Sequence, residues 1–125
     1  MFEAIRTERL LLRPVRSEDA EPLAARRSDP EVARYQNWTA PYPVERAREM
    51  VAELAAMDGP ANEQWWMLTV ADLEDTTVFG DVVVHLTWDG RTAEIGYTLA
   101  RDAWGHGYGA EAATALVGYL SRRSG

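Results

Sequence analysis

The segment Gly105-His106-Gly107-Tyr108-Gly109 constrains this chain most, because a glycine at every second position suits neither a strand interior nor a helix interior. On its N-terminal side, Ile95, Tyr97 and Leu99 alternate with Glu94, Gly96 and Thr98, the period of a half-buried strand. On its C-terminal side, Ala112, Ala113, Leu116, Val117 and Leu120 recur at helical spacing. Glycines between a strand and a helix let the backbone approach a ligand with no Cβ in the way. The free N–H groups of the first helical turn then favour an anion. The sequence therefore offers a phosphate cradle at a helix N-terminus.

Two familiar phosphate cradles fit poorly. A P-loop needs a lysine after its last glycine, and all 13 basic residues of this chain are arginines. Gly105, Gly107 and Ala110 satisfy the dinucleotide fingerprint literally. That fingerprint belongs to a first βαβ unit with an acidic residue about 20 positions further on, and no position lies that far beyond Ala110.

A third pattern fits better. The segment resembles the acetyl-CoA-binding motif of the GNAT superfamily of N-acetyltransferases, Arg/Gln-x-x-Gly-x-Gly/Ala, with Trp104 in the Arg/Gln place, Gly107 as first glycine and Gly109 as second. Trp104 after a strand reading Ile95-Gly96-Tyr97-x-Leu99 is similar to the RimJ/RimL-type branch, which acetylates ribosomal-protein N-termini. Thr7-Glu8-Arg9-Leu10-Leu11-Leu12-Arg13-Pro14 and Asp29-Pro30-Glu31-Val32 resemble that branch too, so the likeness runs from about Thr7 to Leu120.

The resemblance implies an α/β fold of the GNAT type, a mixed, mostly antiparallel sheet with flanking helices. It implies acetyl-CoA as donor and a primary amine, from a protein N-terminus or a small molecule, as acceptor. The main chain of Tyr97, Thr98 and Leu99 would hold the pantetheine arm, and the Leu99 strand would supply the N–H that polarises the thioester carbonyl. N–H groups from Trp104 or Gly105 through His106, Gly107, Tyr108, Gly109 and Ala110 would hold the pyrophosphate, with His106 and Arg101 adding positive potential. Tyr35, Gln36, Asn37 and Trp38 fall between the first two helices, over the acceptor channel in such a fold; the two aromatics read equally as loop packing. Glu94 is the first choice as base and His85 the second, although Glu94 reads equally as a solvated strand residue paired with an arginine. The family usually continues with further strands and a helix, so the chain is expected to be one C-terminally short domain over residues 1–125. The strand before the glycines would then have an open edge, available to a second copy or a partner. Alternatives to an enzyme are a non-catalytic CoA-binding or regulatory module and a scaffold that binds nothing.

Composition narrows the classes. A chain of 125 residues makes a single core, and no apolar run approaches the roughly 20 residues of a membrane span. No basic-then-apolar leader precedes the first strand. With no cysteine, disulfides, thiolate metal sites and a cysteine nucleophile are excluded, and a cytoplasmic protein is expected. The net charge of −7 argues against nonspecific nucleic-acid or anionic-membrane binding and tolerates basic amines. The two histidines are far apart and no cluster has metal-ligand spacing, so no metal is expected.

In chain order, residues 6–13 read as a strand closed by Pro14, with Leu10 and Leu12 on one face and Leu11 and Arg13 on the other. Ser17 reads as the N-cap of a helix from Glu18 to Arg27. Asp29-Pro30 starts a short turn around Glu31–Tyr35, and Pro43 opens a helix from Val44 to Met57. Trp65–Val70 and Val78–Thr87 read as strands around a charged turn at Leu73–Thr77. Trp88-Asp89-Gly90 signals a hairpin into a strand Arg91–Ala100. The expected order is βααβββα.

Overall fold

Among the described residues, five strands form one sheet in the order β1-β2-β3-β4-β5: β1 Ile5–Arg6, β2 Leu10–Pro14, β3 Trp65–Asp72, β4 Val78–Thr87 and β5 Thr92–Leu99. The α-helices among these residues flank it: α1 Ala20–Ser28, α2 Pro30–Ala33, α3 Val44–Ala55 and α4 Tyr108–Ser124. This computed structural model describes residues 2–34, 36, 38–87 and 91–124. Every pair of neighbouring strands is antiparallel. The hairpin signal at Trp88-Asp89-Gly90 lies outside the described residues.

Strand alternation sorts the core into two layers. Leu10 and Leu12 of β2 share one face with Trp66, Leu68 and Val70 of β3 and with Val82, Val84 and Leu86 of β4, and α4 covers them with Ala112 and Leu116. The other layer joins Met67 of β3 to Leu23 and Ala24 of α1 and to Ala47 and Val51 of α3. Because both faces are covered, Leu10, Leu11, Leu12 and Arg13 are all buried.

The stretch 6–13 is not one strand but a hairpin, β1 with β2, turning at residues 7–9. Thr7 causes the break: its N–H donates to the Leu10 carbonyl at 2.9 Å and its Oγ1 accepts from the Leu10 N–H at 2.9 Å, closing a turn. Ser17 does not cap the first helix. It opens a 3-10 turn, and Asp19 instead accepts the Arg16 N–H at 2.8 Å. Asp29 does cap α2, accepting from the Glu31 N–H at 3.0 Å with Pro30 in the first helical position.

Arg13 binds these parts together. Its guanidinium meets both oxygens of Asp19 at 2.9 Å and donates through Nε to Asp75 in the β3–β4 turn at 2.8 Å. Thr69 of β3 donates to Asp19 at 2.9 Å. Arg13 and Asp19 are 4% and 3% exposed, so this is a buried ion pair with its remaining lone pairs satisfied. Burial pulls the Asp19 carboxyl up, but hydrogen bonds from Arg13, the Arg16 N–H and Thr69 outweigh it and hold the group below the usual carboxylate range. Asp75 is lowered in the same sense, burial being outweighed by Arg13 and Arg16. A depressed folded-state value means that the unfolded chain takes up protons first. The resulting stability is fully present above about pH 4 and is lost as pH falls through the folded values. Asp19→Asn leaves Arg13 buried with less compensation and should cost about 3 kcal/mol in urea unfolding at pH 7. It should also flatten the acid limb of the stability curve; an unchanged limb would contradict this assignment.

Candidate active site

The glycine loop is built by three different constraints. Gly105 and Gly107 have φ of +84° and +80°, left-handed values that L side chains rarely adopt. Gly109 is in α4, and a Cβ there would overlap the Tyr97 ring of β5. The loop therefore turns sharply at its first two glycines and at the third brings the helix against the strand. Glu111 N–H donates to the Gly107 carbonyl at 3.1 Å, which makes Gly107 the cap and leaves the N–H groups of Tyr108, Gly109 and Ala110 ahead of the first intrahelical bond. With 17 residues behind it, this terminus carries the positive end of a full helix dipole.

Basic groups gather over that terminus, though not the expected pair. The His106 ring is exposed and stacks on Tyr108 at 5.1 Å between centroids. Tyr108 stacks in turn on Phe79 at 4.5 Å. The second cation is Arg9, whose guanidinium carbon lies 4.8 Å from the Tyr108 centroid. Arg101 is elsewhere engaged, donating to both oxygens of Asp29 at 3.1 and 2.5 Å. Arg9 lies 98 positions before Gly107 in sequence, so only the fold brings them together. Glu111 holds it, accepting from Arg9 Nε at 2.7 Å, from the Arg9 N–H at 3.0 Å and from Thr7 Oγ1 at 2.5 Å. Burial raises the Glu111 carboxyl, but the bonds from Thr7 and Arg9 prevail and keep it below the usual range.

Strand β5 ends the sheet, and among the described residues no strand pairs with its outer edge. The Ala100 N–H donates to the Phe79 carbonyl at 2.8 Å, which fixes the ladder's phase. By antiparallel alternation, Thr98, Gly96 and Glu94 direct their backbone groups to β4, whereas Leu99, Tyr97 and Ile95 direct theirs to the open edge. The Leu99 carbonyl accepts Trp104 Nε1 at 3.0 Å, folding the loop back onto the strand end. The Trp104 N–H donates to the Arg101 carbonyl at 3.1 Å, so the series of free N–H groups starts after Trp104. Two of the expected backbone contacts, Tyr97 and Leu99, thus face outward. The Thr98 main chain faces β4, and its side chain is buried.

A cleft of about 930 Å³ opens on the α1 and α3 side of the sheet. Its floor is Gly96, Tyr97 and Thr98 with Asp81 and Val83 of β4; Trp38, Met50, Met57, Trp65 and Met67 stand around it. Gln36 and Trp38, expected on the substrate side, do line this cleft, while Tyr35 and Asn37 lie outside the described residues. Trp38 is anchored by its Nε1 on the Arg27 carbonyl at 2.8 Å and by the Arg27 guanidinium 4.3 Å above its ring. The two candidate bases are cross-strand partners: His85 pairs with Glu94 in the β4–β5 register, and the His85 ring packs 5.0 Å from Trp65. They share the cleft-facing side, but Glu94 is four residues from Thr98, about 13 Å along the strand. Among the described residues, no group of three or more His, Cys, Asp or Glu could hold a metal ion, and no helix is long and apolar enough to cross a membrane.

Residues that sequence reasoning missed are Arg9 and Asp81. Arg9 carried no signal beyond its place in Thr7–Pro14. Asp81 carried one, an aspartate inside the apolar run Val78–Leu86.

Comparison with known proteins agrees with this fold. The family model described as "Acetyltransferase (GNAT) domain" matches residues 9–125. A curated relative, the "Uncharacterized N-acetyltransferase p20" of Bacillus licheniformis, is 36% identical over 121 residues, covering 94% of this chain and 66% of its own length. The chain thus spans about two thirds of that relative. A solved GNAT-family acetyltransferase from Bacillus anthracis superposes with a TM-score of 0.82 at 25% identity, over 97% of this chain and 68% of that one. The Microcin C7 self immunity acetyltransferase MccE, solved in complex with acetyl-CoA and AMP, shares the fold with a TM-score of 0.71 at 17% identity, over 94% and 65% of the two chains.

The Gly109–Tyr97 contact gives a direct test of how helix and strand are joined. Gly109→Ala should destabilise the chain by about 1–3 kcal/mol. Tyr97→Ala in the same chain should recover most of that loss, a coupling well above about 0.5 kcal/mol in a double-mutant cycle read by urea unfolding. Additive effects would mean that the ring yields to the new methyl.

Proposed function

The chain belongs to the GNAT acetyltransferase family, and on that premise we propose that it serves as an acetyl-CoA-dependent N-acetyltransferase acting on a primary amine. One arrangement carries the reading: the outward-facing backbone of Tyr97 and Leu99 is followed, after the turn Arg101–Ala103, by the N-terminus of α4 at Gly105 and Gly107. An edge of free peptide groups suits the amide-bearing pantetheine arm, and a helix terminus with Arg9 and His106 above it suits a pyrophosphate. The MccE complex with acetyl-CoA supports the same choice of donor for this fold.

Acetyl-CoA supplies an acetyl group activated as a thioester. The N–H groups of Gly109 and Ala110 with Arg9 and His106 hold its phosphates, and the Leu99 N–H stabilises charge developing on the carbonyl oxygen. The acceptor enters from the cleft as a neutral amine and attacks the carbonyl carbon; the C–N bond forms, the C–S bond breaks, and the proton that the nitrogen sheds in becoming an amide passes to the departing thiolate. Holding both partners over Gly96–Thr98 makes the encounter effectively intramolecular. An alkylammonium has a pKa near ~10, so it must lose a proton first. Glu94, beside His85, is a carboxylate on the cleft-facing side that is not held in a buried ion pair as Asp81 is, and its distance from Thr98 makes the transfer run through water. The segments resembling the RimJ/RimL-type branch favour a protein N-terminus among the acceptors.

The test is thiol release. With acetyl-CoA and an accepted amine, the chain should liberate CoA in proportion to the amide formed, and Glu94→Gln should lower kcat/KM by about 100-fold. Acetyl-CoA binding with no release on any amine would overturn the catalytic reading in favour of a CoA-binding module.

A further inference from the structure

Asp81 lies at the middle of β4 and is fully buried. Its Oδ2 accepts from Arg26 Nη2 at 2.6 Å and Nε at 3.2 Å. Its Oδ1 is buried with no hydrogen-bond partner, although Asp81 stands on the wall of the cleft. Its cross-strand neighbour is Thr98, next to the Tyr97 and Leu99 backbone that borders the donor. An unpaired carboxylate oxygen in a closed interior is costly, and such atoms normally have a partner. Around it stand Trp38, Trp65, Met50 and Met67, with Gln36, Glu53 and Gln64 adding polar groups to the lining. Indole faces attract cations, and thioethers adapt to apolar groups of varied shape.

We infer that this cleft selects a primary amine carrying a large apolar group, with the nitrogen bound to Asp81 Oδ1 and the apolar group among the tryptophans and methionines. The inference rests on the N-acetyltransferase reading for the role of that nitrogen as acceptor, but the recognition itself is a property of this cleft. A strongly cationic peptide would meet Arg27, whose guanidinium stacks on Trp38 and Tyr42 at the cleft. Asp81 is thus a specificity residue: Arg26 holds one oxygen and the substrate takes the other.

Tryptophan fluorescence and calorimetry test this on the whole chain, without turnover. 2-Phenylethylamine should quench the emission and bind about tenfold or more tighter than ethylamine, which lacks the ring, and than 2-phenylethanol, which lacks the charge. The paired variant Arg26→Gln/Asp81→Asn replaces the ion pair with a neutral pair of similar shape. In it the amine should lose that advantage while 2-phenylethanol binds as before, and Trp65→Ala, at an exposed position, should weaken both. Equal affinity for amine and alcohol, tighter binding of glucosamine or a lysine peptide, or no binding of 2-phenylethylamine would each overturn the inference. Acetyl-CoA is titrated into the same samples: if it binds and the apolar amine does not, only this inference fails. If the amine binds and acetyl-CoA does not, the transferase reading fails and the amine site stands.

Discussion

The rest of the site depends on one contact, the close approach of Gly109 in α4 to the Tyr97 ring on β5. A helix N-terminus is a usable anion site only if something fixes where it points, and a sheet edge can bind an extended ligand only if something aligns it with that site. The absence of a side chain at Gly109 lets Tyr97 pack beneath the first turn. Trp104 closes the other side by donating to the Leu99 carbonyl. Cradle and edge thereby lie next to one another, joined by the short turn Arg101–Ala103, where the Ala103 N–H is used internally.

Around this site, charge is arranged locally. The chain carries a net charge of −7, yet arginines are placed where anionic or buried acidic groups need them. Arg13 joins α1 to the β3–β4 turn, Arg26 holds Asp81, Arg101 holds Asp29 and Arg9 stands at the helix terminus beside Glu111. Two of these pairs are almost fully buried, where breaking a pair costs far more than forming one gains. The buried pairs fix how α1 lies on the sheet, and α1 in turn carries Arg27, which supports Trp38 at the cleft.

Much of this was legible in the residues. The alternation of Ile95, Tyr97 and Leu99, the glycines and the helical stripe from Ala112 placed strand, loop and helix correctly, because each signal is local. Val78–Thr87 was legible residue for residue, and α3 ends two residues before the expected Met57. The hairpin at Thr7 was hidden because its cause, a side chain bonding its own neighbouring backbone, leaves no hydrophobic period. Arg101 was misplaced for a different reason: sequence proximity to the glycine loop suggested a phosphate role, whereas Asp29, 72 positions away, takes its guanidinium. Long-range partners of that kind, Arg9 with Glu111 and Arg26 with Asp81 included, are set by topology and have no local signature.

The central claim, that the α4 terminus and the β5 edge hold acetyl-CoA, is tested most directly by a substitution that favours the fold and opposes the ligand. Ala110 is exposed in the first turn of α4, where an aspartate stabilises the helix dipole. Calorimetric titration with acetyl-CoA should show micromolar binding by the native chain. Ala110→Asp should abolish that binding while leaving the thermal midpoint equal or higher. Undiminished binding by the variant would contradict the account and place the donor elsewhere on the molecule.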